Sequence, residues 1–238
     1  MARTPAIALA PGIYRIPTFG DFINSFAFIE DDGSVTLVDC GLKRAPSKIV
    51  KALESLGKHP RDVQRILLTH AHFDHAGGAA RMVDETSADG VDVHVDDAAY
   101  VRTGTKPPGD SVSTAGRLLA RAPWGDFRAT PVAQELVDGD VIDVAGGLRI
   151  VHTPGHTPGH VSLLHPGSGV LITGDSIFNM NARLAWPTKA VCTSFRQNVA
   201  TAHVLGELEY DVAAFTHGPE IREDAREQVR GFLRRART

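Results

Sequence analysis

The chain has 238 residues, of which 42% are hydrophobic and 22% charged, and its formal net charge at pH 7 is −3. This composition is typical of an ordinary globular protein that is large enough to bury a full core. The weak negative charge excludes a general attraction to nucleic acid or to an anionic membrane, so we expect neither as a partner. Residues 1–17 carry a short apolar run interrupted by prolines, which predicts neither a secretory signal nor a membrane span and favours a cytoplasmic location.

Short segments rich in β-branched and aromatic residues, bounded by glycine, asparagine and aspartate, predict strands. In chain order these are residues 12–17, 25–31, 34–40, 63–69, 91–97, 141–146, 148–153, 161–166, 170–175 and 211–218. Apolar residues at helical spacing predict helices between them. These are residues 45–57, 79–85, 97–104, 196–208 and 222–236. Strands mixed with helices, without a break in composition, indicate a single α/β domain over residues 1–238.

Residues 104–131 interrupt this pattern, since prolines and glycines flank one helix-like piece around residues 115–122. Long irregular segments often carry function. We interpret this segment as an insertion that is either a lid or pocket wall over a site, or a plain surface connection.

Cys40 and Cys192 are the two cysteines of the chain, and they lie far apart in sequence. Their spacing predicts neither a disulfide framework nor a zinc site built on thiolates. We expect two buried thiols.

The segment HTPGHTPGH, residues 152–160, sets a histidine at each of its three nodes. On a helix, histidines four residues apart share one face and can hold one metal ion. Pro154 and Pro158 remove backbone donors and clash with the preceding turn, and the glycines favour irregular backbone. The segment is therefore predicted to be a loop whose histidines point in different directions, with His152 at the edge of any site or in solvent.

The segment HAHFDH follows the predicted buried strand at residues 63–69. It places three imidazoles and one carboxylate within a short distance, on His70, His72, Asp74 and His75. Imidazole and carboxylate are the ligands that zinc, iron and manganese accept, and alternate residues of an extended turn can face different ions. The cluster therefore predicts a metal site at the end of this strand.

The pattern His-x-His-x-Asp-His after a strand resembles the hallmark of the metallo-β-lactamase superfamily, and the resemblance continues over nearly the whole chain. In that family a further histidine ligand lies in a Gly-His-Thr motif, which residues 155–157 match. An aspartate at a strand end is matched by Asp175 in LITGD, and a last histidine at another strand end by His217 in FTHGP. Separate matches in the family's order make the resemblance highly specific.

The resemblance implies the fold of that family, a four-layer αββα sandwich of the α/β class. It also implies two divalent metal ions, for which zinc is the first expectation and iron or manganese stay open. The implied ligands are His70, His72 and His156 for the first ion and Asp74, His75 and His217 for the second, with Asp175 between the two. His160, four residues after His156, is expected to support the loop or a ligand by hydrogen bonding.

The chemistry implied by this ligand set is hydrolysis. Two cations about 3.5 to 4 Å apart share one water and lower its pKa towards about 7, which supplies hydroxide at neutral pH. Their charge also stabilises the oxyanion that forms when hydroxide adds to a carbonyl. Asp74 is implied both as a ligand and as the group that orients the nucleophile and passes its proton to the leaving group.

The residue at the implied bridging position indicates which branches of the superfamily the chain resembles. Beta-lactamases of the superfamily carry cysteine or serine at this position, so Asp175 makes antibiotic hydrolysis the less expected activity. An aspartate here resembles the pattern of thioesterases of the glyoxalase II type, lactonases and phosphodiesterases. Glyoxalase II enzymes continue into a helical region after the last histidine ligand, whereas one helix is predicted after His217 here. Acyl-homoserine lactonases have a tyrosine at the position of Phe178. The chain thus departs from both patterns. Phe178, Met180 and Trp186 either wall an apolar acyl pocket or pack under their loop.

We therefore expect a hydrolase that uses a metal-bridging hydroxide on a small ester-like bond, a lactone or a thioester, in a small-molecule substrate. Three alternatives stay open: a phosphodiesterase of the same superfamily, a persulfide dioxygenase with one iron held by His70, His156 and Asp175, and a binding protein without catalysis. The sequence does not decide the oligomeric state, for which a homodimer is one option.

Overall fold

The structure is a computed structural model that describes residues 5–109 and 125–235. Most of the predicted insertion at 104–131, with the helix-like piece inside it, lies outside the described residues. The parts of the insertion that are described, 104–109 and 125–131, contain neither helix nor strand.

Seven strands form the first sheet, and their order in the sheet is their order along the chain. They are β1 (Ile7–Ala10), β2 (Ile13–Pro17), β3 (Asn24–Ile29), β4 (Val35–Val38), β5 (Val63–Leu67), β6 (Val91–His94) and β7 (Val132–Leu136). Strands β1 to β4 pair antiparallel, and β4 to β7 pair parallel. The loops that leave β5 and β6 therefore start at the same edge of the sheet.

Five strands form the second sheet. They are β8 (Val141–Ile142), β9 (Leu148–His152), β10 (Val161–His165), β11 (Val170–Ile172) and β14 (Val212–Ala214). Their order is β14-β11-β10-β9-β8, with β14 parallel to β11 and the other neighbours antiparallel. A separate hairpin pairs β12 (Phe178–Met180) with β13 (Arg183–Ala185).

The α-helices of the described residues are α1 (Pro46–Ser55), α2 (Phe73–Ala76), α3 (Ala79–Glu85), α4 (Val95–Thr103), α5 (Phe195–Ala202) and α6 (Ala225–Arg235). The helices predicted from apolar spacing are confirmed, although the one predicted at 196–208 ends at Ala202 and continues as a 3-10 turn, His203–Gly206. In the part of the chain that the structure describes, no helix is long and apolar enough to cross a membrane.

Three clusters of buried side chains separate the layers of the fold. The first lies between the first sheet and α1, α3 and α4, the second between the two sheets, and the third between the second sheet and α5 and α6. Successive residues of a strand face opposite layers. Leu37 belongs to the first cluster and Val38 to the second, while Leu163 belongs to the second and Leu164 to the third. Both sheets are therefore buried on both faces, which confirms the predicted αββα sandwich.

The sequence pattern does not predict four of the strands, β1, β7, β12 and β13. In β7, Ala133, Gln134 and Glu135 are exposed, so the strand lacks an alternating apolar face and forms by pairing with β6. The predicted loop at residues 152–160 is confirmed, because β9 ends at His152, β10 begins at Val161, and the residues between them form turns.

Candidate metal centre

The predicted ligands come together at one edge of the two sheets. The elements that supply them are the loop after β5 with α2, the loop between β9 and β10, and the segments that follow β11 and β14. The side chains that the structure brings together are His70, His72, Asp74, His75, His156, Asp175 and His217. The fold thus assembles in space a set that the sequence spreads over much of the chain.

Three imidazoles form the first group. Nε2 of His70 lies 3.1 Å from Nδ1 of His72, which lies 2.9 Å from Nε2 of His156. His70 and His156 are buried, and His72 is half-buried. Three ring nitrogens at this separation, each able to present a lone pair, can hold one cation.

Asp74, His75 and His217 form the second group. Oδ2 of Asp74 lies 3.8 Å from Nε2 of His75 and 3.5 Å from Nε2 of His217. The side chain of Asp74 is 20% exposed and that of His217 is 12% exposed, so this group borders solvent.

Asp175 lies between the two groups. Its Oδ2 is 3.1 Å from Nε2 of His156 and 3.3 Å from Nε2 of His217. Its Oδ1 is 3.4 Å from Nε2 of His75 and accepts a hydrogen bond from Oγ1 of Thr216 at 2.7 Å. One carboxylate therefore contacts ligands of both groups, which is the position of a bridging ligand.

The hydrogen bonds of the imidazoles decide which nitrogen faces the centre. Nδ1 of His70 lies 3.1 Å from Oγ1 of Thr69, and Nδ1 of His75 lies 2.8 Å from Oδ2 of Asp39. With N–H groups donating to these oxygens, both Nε2 atoms turn lone pairs towards the centre. Nε2 of His75 is buried and has no hydrogen-bond partner among the described residues. A buried lone pair without a donor fits a cation, so the residues present fit metal ions at this centre.

The electrostatics of the two groups differ. Burial lowers the pKa of His70 and of His72 well below the usual value for histidine. Burial acts in the same direction on His75 and His217, but Asp175 and the neighbouring carboxylates outweigh it and raise both pKa values. Burial favours a raised pKa for Asp175, but the surrounding imidazoles outweigh it and lower that pKa well below its usual range. A cation in the second group therefore replaces protons that its histidines otherwise hold.

Asp39 supports both groups and is absent from the predicted site. It is fully buried, and beside its contact with His75 it accepts hydrogen bonds from the backbone N and Oγ1 of Thr69, both at 2.8 Å. Its φ is 58°, a strained conformation for a residue other than glycine. The signal in the sequence is an aspartate near the end of the predicted buried strand at 34–40, where a carboxylate needs a partner.

Two further buried side chains contact predicted ligands. Nε2 of His160 accepts a hydrogen bond from the backbone N of Asp175 at 2.7 Å, and Nδ1 lies 3.0 Å from O of Thr153. Burial lowers the pKa of His160 to about 3, so this imidazole stays neutral at pH 7. Sγ of Cys192 lies 3.6 Å from Nδ1 of His156. The buried state predicted for both cysteines is confirmed.

The residues predicted to wall an acyl pocket lie on the hairpin of β12 and β13 and just after it. The ring centroid of Phe178 lies 4.4 Å from that of His217. Met180 ends β12 and is half-buried. The ring of Trp186 packs against Phe232 of α6, with centroids 4.8 Å apart. Of these three residues, Phe178 is the one whose side chain the structure shows against a predicted ligand.

His152, the first node of the 152–160 loop, packs on His94. The two rings are stacked, with centroids 3.8 Å apart and an interplanar angle of 18°. Oδ2 of Asp96 lies 3.7 Å from Nδ1 of His94, and Nε2 of His152 lies 2.9 Å from O of Pro158. Lone pairs in parallel ring planes do not converge on one ion, so this cluster holds the loop in place rather than a metal.

The sequence profile of the metallo-beta-lactamase superfamily matches residues 19–226. The chain belongs to that superfamily. Members of the superfamily bind metal ions, usually zinc, and are generally hydrolases. The matched range contains all of the predicted ligands, which lie between His70 and His217.

Known proteins resemble this chain over 55% to 96% of its length. A hydroxyacylglutathione hydrolase of Cereibacter sphaeroides is 31% identical over 221 residues, which cover 84% of this chain and 72% of the relative. An N-acyl homoserine lactonase of a Bacillus species is 29% identical over 134 residues, which cover 55% of this chain and 45% of the relative. A solved metallo-beta-lactamase family protein from Thermus thermophilus superposes with a TM-score of 0.71 at 25% identity, covering 96% of this chain and 80% of that chain.

Proposed function

We propose that the protein is a dinuclear metal-dependent hydrolase that cleaves a small ester-like bond, in a lactone or a thioester. The observation that carries the proposal is the position of Asp175, whose Oδ2 lies 3.1 Å from His156 and 3.3 Å from His217. A carboxylate shared by two groups of ligands is the arrangement that brings two cations close enough to act on one water.

Each ligand group then holds one ion. His70, His72 and His156 would hold the first ion, Asp74, His75 and His217 would hold the second, and Asp175 would be shared between the two groups. Two divalent cations, zinc in the first place, would supply a nucleophile at neutral pH by lowering the pKa of a water between them, and would polarise the carbonyl oxygen of the substrate. Oδ2 of Asp74 faces the imidazoles of its group, which leaves Oδ1 to accept the proton of the nucleophile and return it to the leaving group.

Aromatic residues next to predicted ligands support an apolar acyl group in the substrate. Phe73, next to Asp74, is 39% exposed. Phe22 is 51% exposed, and its backbone O accepts a hydrogen bond from Nδ1 of His217. Phe178 packs its ring on the same imidazole. Apolar and aromatic side chains around a few polar groups are typical of small-molecule sites.

The similarity to a hydroxyacylglutathione hydrolase and to an N-acyl homoserine lactonase supports the same type of bond. The proposal includes a small-molecule substrate and a cytoplasmic location. Cys40 and Cys192 are buried thiols, which agrees with a reducing compartment.

The test is a substrate panel on metal-loaded protein, with lactones and thioesters of increasing acyl length, phosphodiesters and a beta-lactam. We expect hydrolysis of lactones or thioesters and a loss of about 100-fold or more in kcat/KM for His156→Ala, since removal of a ligand exceeds the effect of removing a ligand's partner. His59→Ala is the control for the loss of an imidazole, because His59 is exposed and caps the 3-10 turn Pro60–Asp62. Unchanged activity of His156→Ala would refute the assigned centre.

Metal analysis of the same samples separates the other functions. Two metals per chain with hydrolysis under anaerobic conditions support the proposal. One iron per chain with oxygen uptake indicates instead a dioxygenase that uses His70, His156 and Asp175. Bound metal without hydrolysis of any substrate in the panel indicates a binding protein.

A further inference from the structure

Asp97 lies in the first turn of α4 and is fully buried. Its Oδ2 accepts hydrogen bonds from the backbone N of Ala71 at 2.8 Å and from Oγ1 of Thr157 at 2.7 Å. Its Oδ1 accepts a hydrogen bond from the backbone N of Gly159 at 2.7 Å. One carboxylate therefore links the loop that follows β5 in the first sheet to the loop that follows β9 in the second.

The partners of this carboxylate are neighbours of predicted ligands. Ala71 separates His70 from His72, and Thr157 follows His156. Each histidine of the first group is therefore adjacent in sequence to a residue that donates a hydrogen bond to Asp97. Among the described residues, no hydrogen bond joins the carboxylate to a member of the second group.

The start of α4 packs directly on the loop at 153–160. A Cβ on Gly159 would lie 2.6 Å from the backbone N of Asp97, so glycine permits this close approach. His94, the N-cap of α4, stacks its ring on His152 just before the loop. The loop is thus held against α4 at both ends, and the position of the imidazole between these ends depends on the contact.

The carboxylate of Asp97 is buried and accepts hydrogen bonds from both loops. Burial raises the pKa of Asp97, and the hydrogen bonds from Thr157, Gly159 and Ala71 oppose burial without cancelling it. Ionisation of Asp97 is therefore less favourable in the folded chain than in the unfolded chain. The advantage of the carboxylate is geometric, because two carboxylate oxygens accept three donors from two loops, which asparagine in the same place does not.

We propose that Asp97 is a positioning residue of the metal centre, which sets the separation of His156 from His70 and His72 and thereby the affinity of the first group for its ion. This inference rests on the proposed function only in that the first group binds a metal, and it is independent of the substrate.

The test compares metal affinity in two proteins that each keep one group. His217→Ala keeps the first group intact, and His156→Ala keeps the second. Asp97→Asn turns an acceptor into an NH₂ donor that meets the N–H of Gly159. We expect it to weaken Co²⁺ binding about 10- to 100-fold in the His217→Ala protein and less than about threefold in the His156→Ala protein. Competition with a chromophoric chelator measures both affinities, and the Co²⁺ absorption bands of the first group should shift.

Asp92→Asn is the matched control for a buried aspartate. Asp92 lies on β6, is 5% exposed, and pairs with Arg65 at 3.4 Å, so its replacement should leave both Co²⁺ affinities unchanged. Thr157→Val is a milder second variant, because it removes one of the three hydrogen bonds with little change in shape. We expect it to weaken Co²⁺ binding by the first group about threefold to tenfold.

Three results overturn the inference: an equal loss in both single-group proteins, an unchanged affinity and spectrum in Asp97→Asn, or, where that variant does not fold, an unchanged affinity in Thr157→Val. A wild-type protein that binds no metal overturns both the inference and the proposed function. A wild-type protein that binds metal without hydrolysing the panel overturns only the proposed function.

Discussion

Oδ2 of Asp39 lies 2.8 Å from Nδ1 of His75 and turns Nε2 of that imidazole towards Asp175. The same carboxylate accepts hydrogen bonds from the backbone N and Oγ1 of Thr69, one residue before His70. A single buried aspartate thus orients one member of the second group and anchors the segment that begins the first.

Asp39→Asn is expected to weaken binding of the second metal about 10- to 100-fold, because the imidazole of His75 loses its charged acceptor. Asparagine keeps the side-chain volume and tolerates the φ of 58° at this position. Calorimetric metal titration of metal-free protein measures the loss, with Asp92→Asn as the buried control. A second-metal affinity equal to that of wild type would contradict the role of Asp39.

A comparison of Gly155→Ala with Gly146→Ala distinguishes backbone strain from a steric clash at the loop that carries His156. Gly155 has a φ of 130°, and a Cβ there would lie 2.1 Å from the backbone N of Asn198. Gly146 has a φ of 88°, and a Cβ there would meet nothing within 4 Å. Each variant carries a backbone strain of about 1–2 kcal/mol, but only Gly155→Ala also pushes the loop away from α5.

We therefore expect Gly155→Ala to lower the free energy of unfolding by about 1–3 kcal/mol more than Gly146→Ala, and to reduce the metal bound next to it at His156. Urea denaturation gives the first quantity and metal analysis the second. Equal losses in the two variants would show that the contact with α5 is unimportant.

Phe178→Ala is expected to raise KM about tenfold for substrates with a long acyl chain and to change KM little for short ones, because apolar contact area is lost beside His217. Steady-state kinetics on an acyl series measures the difference. Trp186→Ala is the control, since its ring packs on Phe232 and its loss should lower stability without changing the dependence on chain length. A uniform rise in KM after Phe178→Ala would argue against an acyl contact.

The stability of the metal-free protein should fall at mildly acidic pH because of His94. Burial, together with the imidazole of His152, lowers the pKa of His94 in the folded protein from the ordinary value of 6.5. The unfolded chain then takes up this proton at a higher pH than the folded chain, so the contribution of His94 is present above about pH 6.5 and is lost as the pH falls below it.

His94→Asn keeps a capping side chain on α4 but does not titrate. We expect its free energy of unfolding to fall less steeply than that of wild type between about pH 7 and pH 5. Urea denaturation of both proteins with a chelator present measures the two slopes. Parallel slopes would mean that the stacked pair does not resist protonation.

Residues 70–75 are recognisable in the sequence because they form a dense local motif after a buried strand. His156, Asp175 and His217 are recognisable through the resemblance to the superfamily, whose motifs they match. Asp39 and Asp97 are not recognisable in this way. Their partners lie 30 positions away at Thr69 and 60 positions away at Thr157, and only the packed sheets bring them together.

The layers of the fold can be predicted from the sequence because most of the strands are also local patterns. Strands with both faces buried read as continuous apolar runs, whereas β7 is an edge strand whose pairing with β6 the pattern does not encode. Trp186 illustrates the same difficulty for the acyl pocket, since an aromatic residue after a ligand is equally suited to a core. The packing of Trp186 on Phe232 depends on the tertiary structure, which the local sequence does not reveal.

Each ligand group takes two residues from the segment after β5 and its third from the second sheet. An ion in either group would therefore be a cross-link between the two halves of the chain, comparable in effect to a disulfide between distant cysteines. Because unfolding separates the halves, the free energy of metal binding adds to that of folding, by about 2.7 kcal/mol for each site when the free metal is 100-fold above its Kd. The stability of the folded chain would thus depend on the supply of metal.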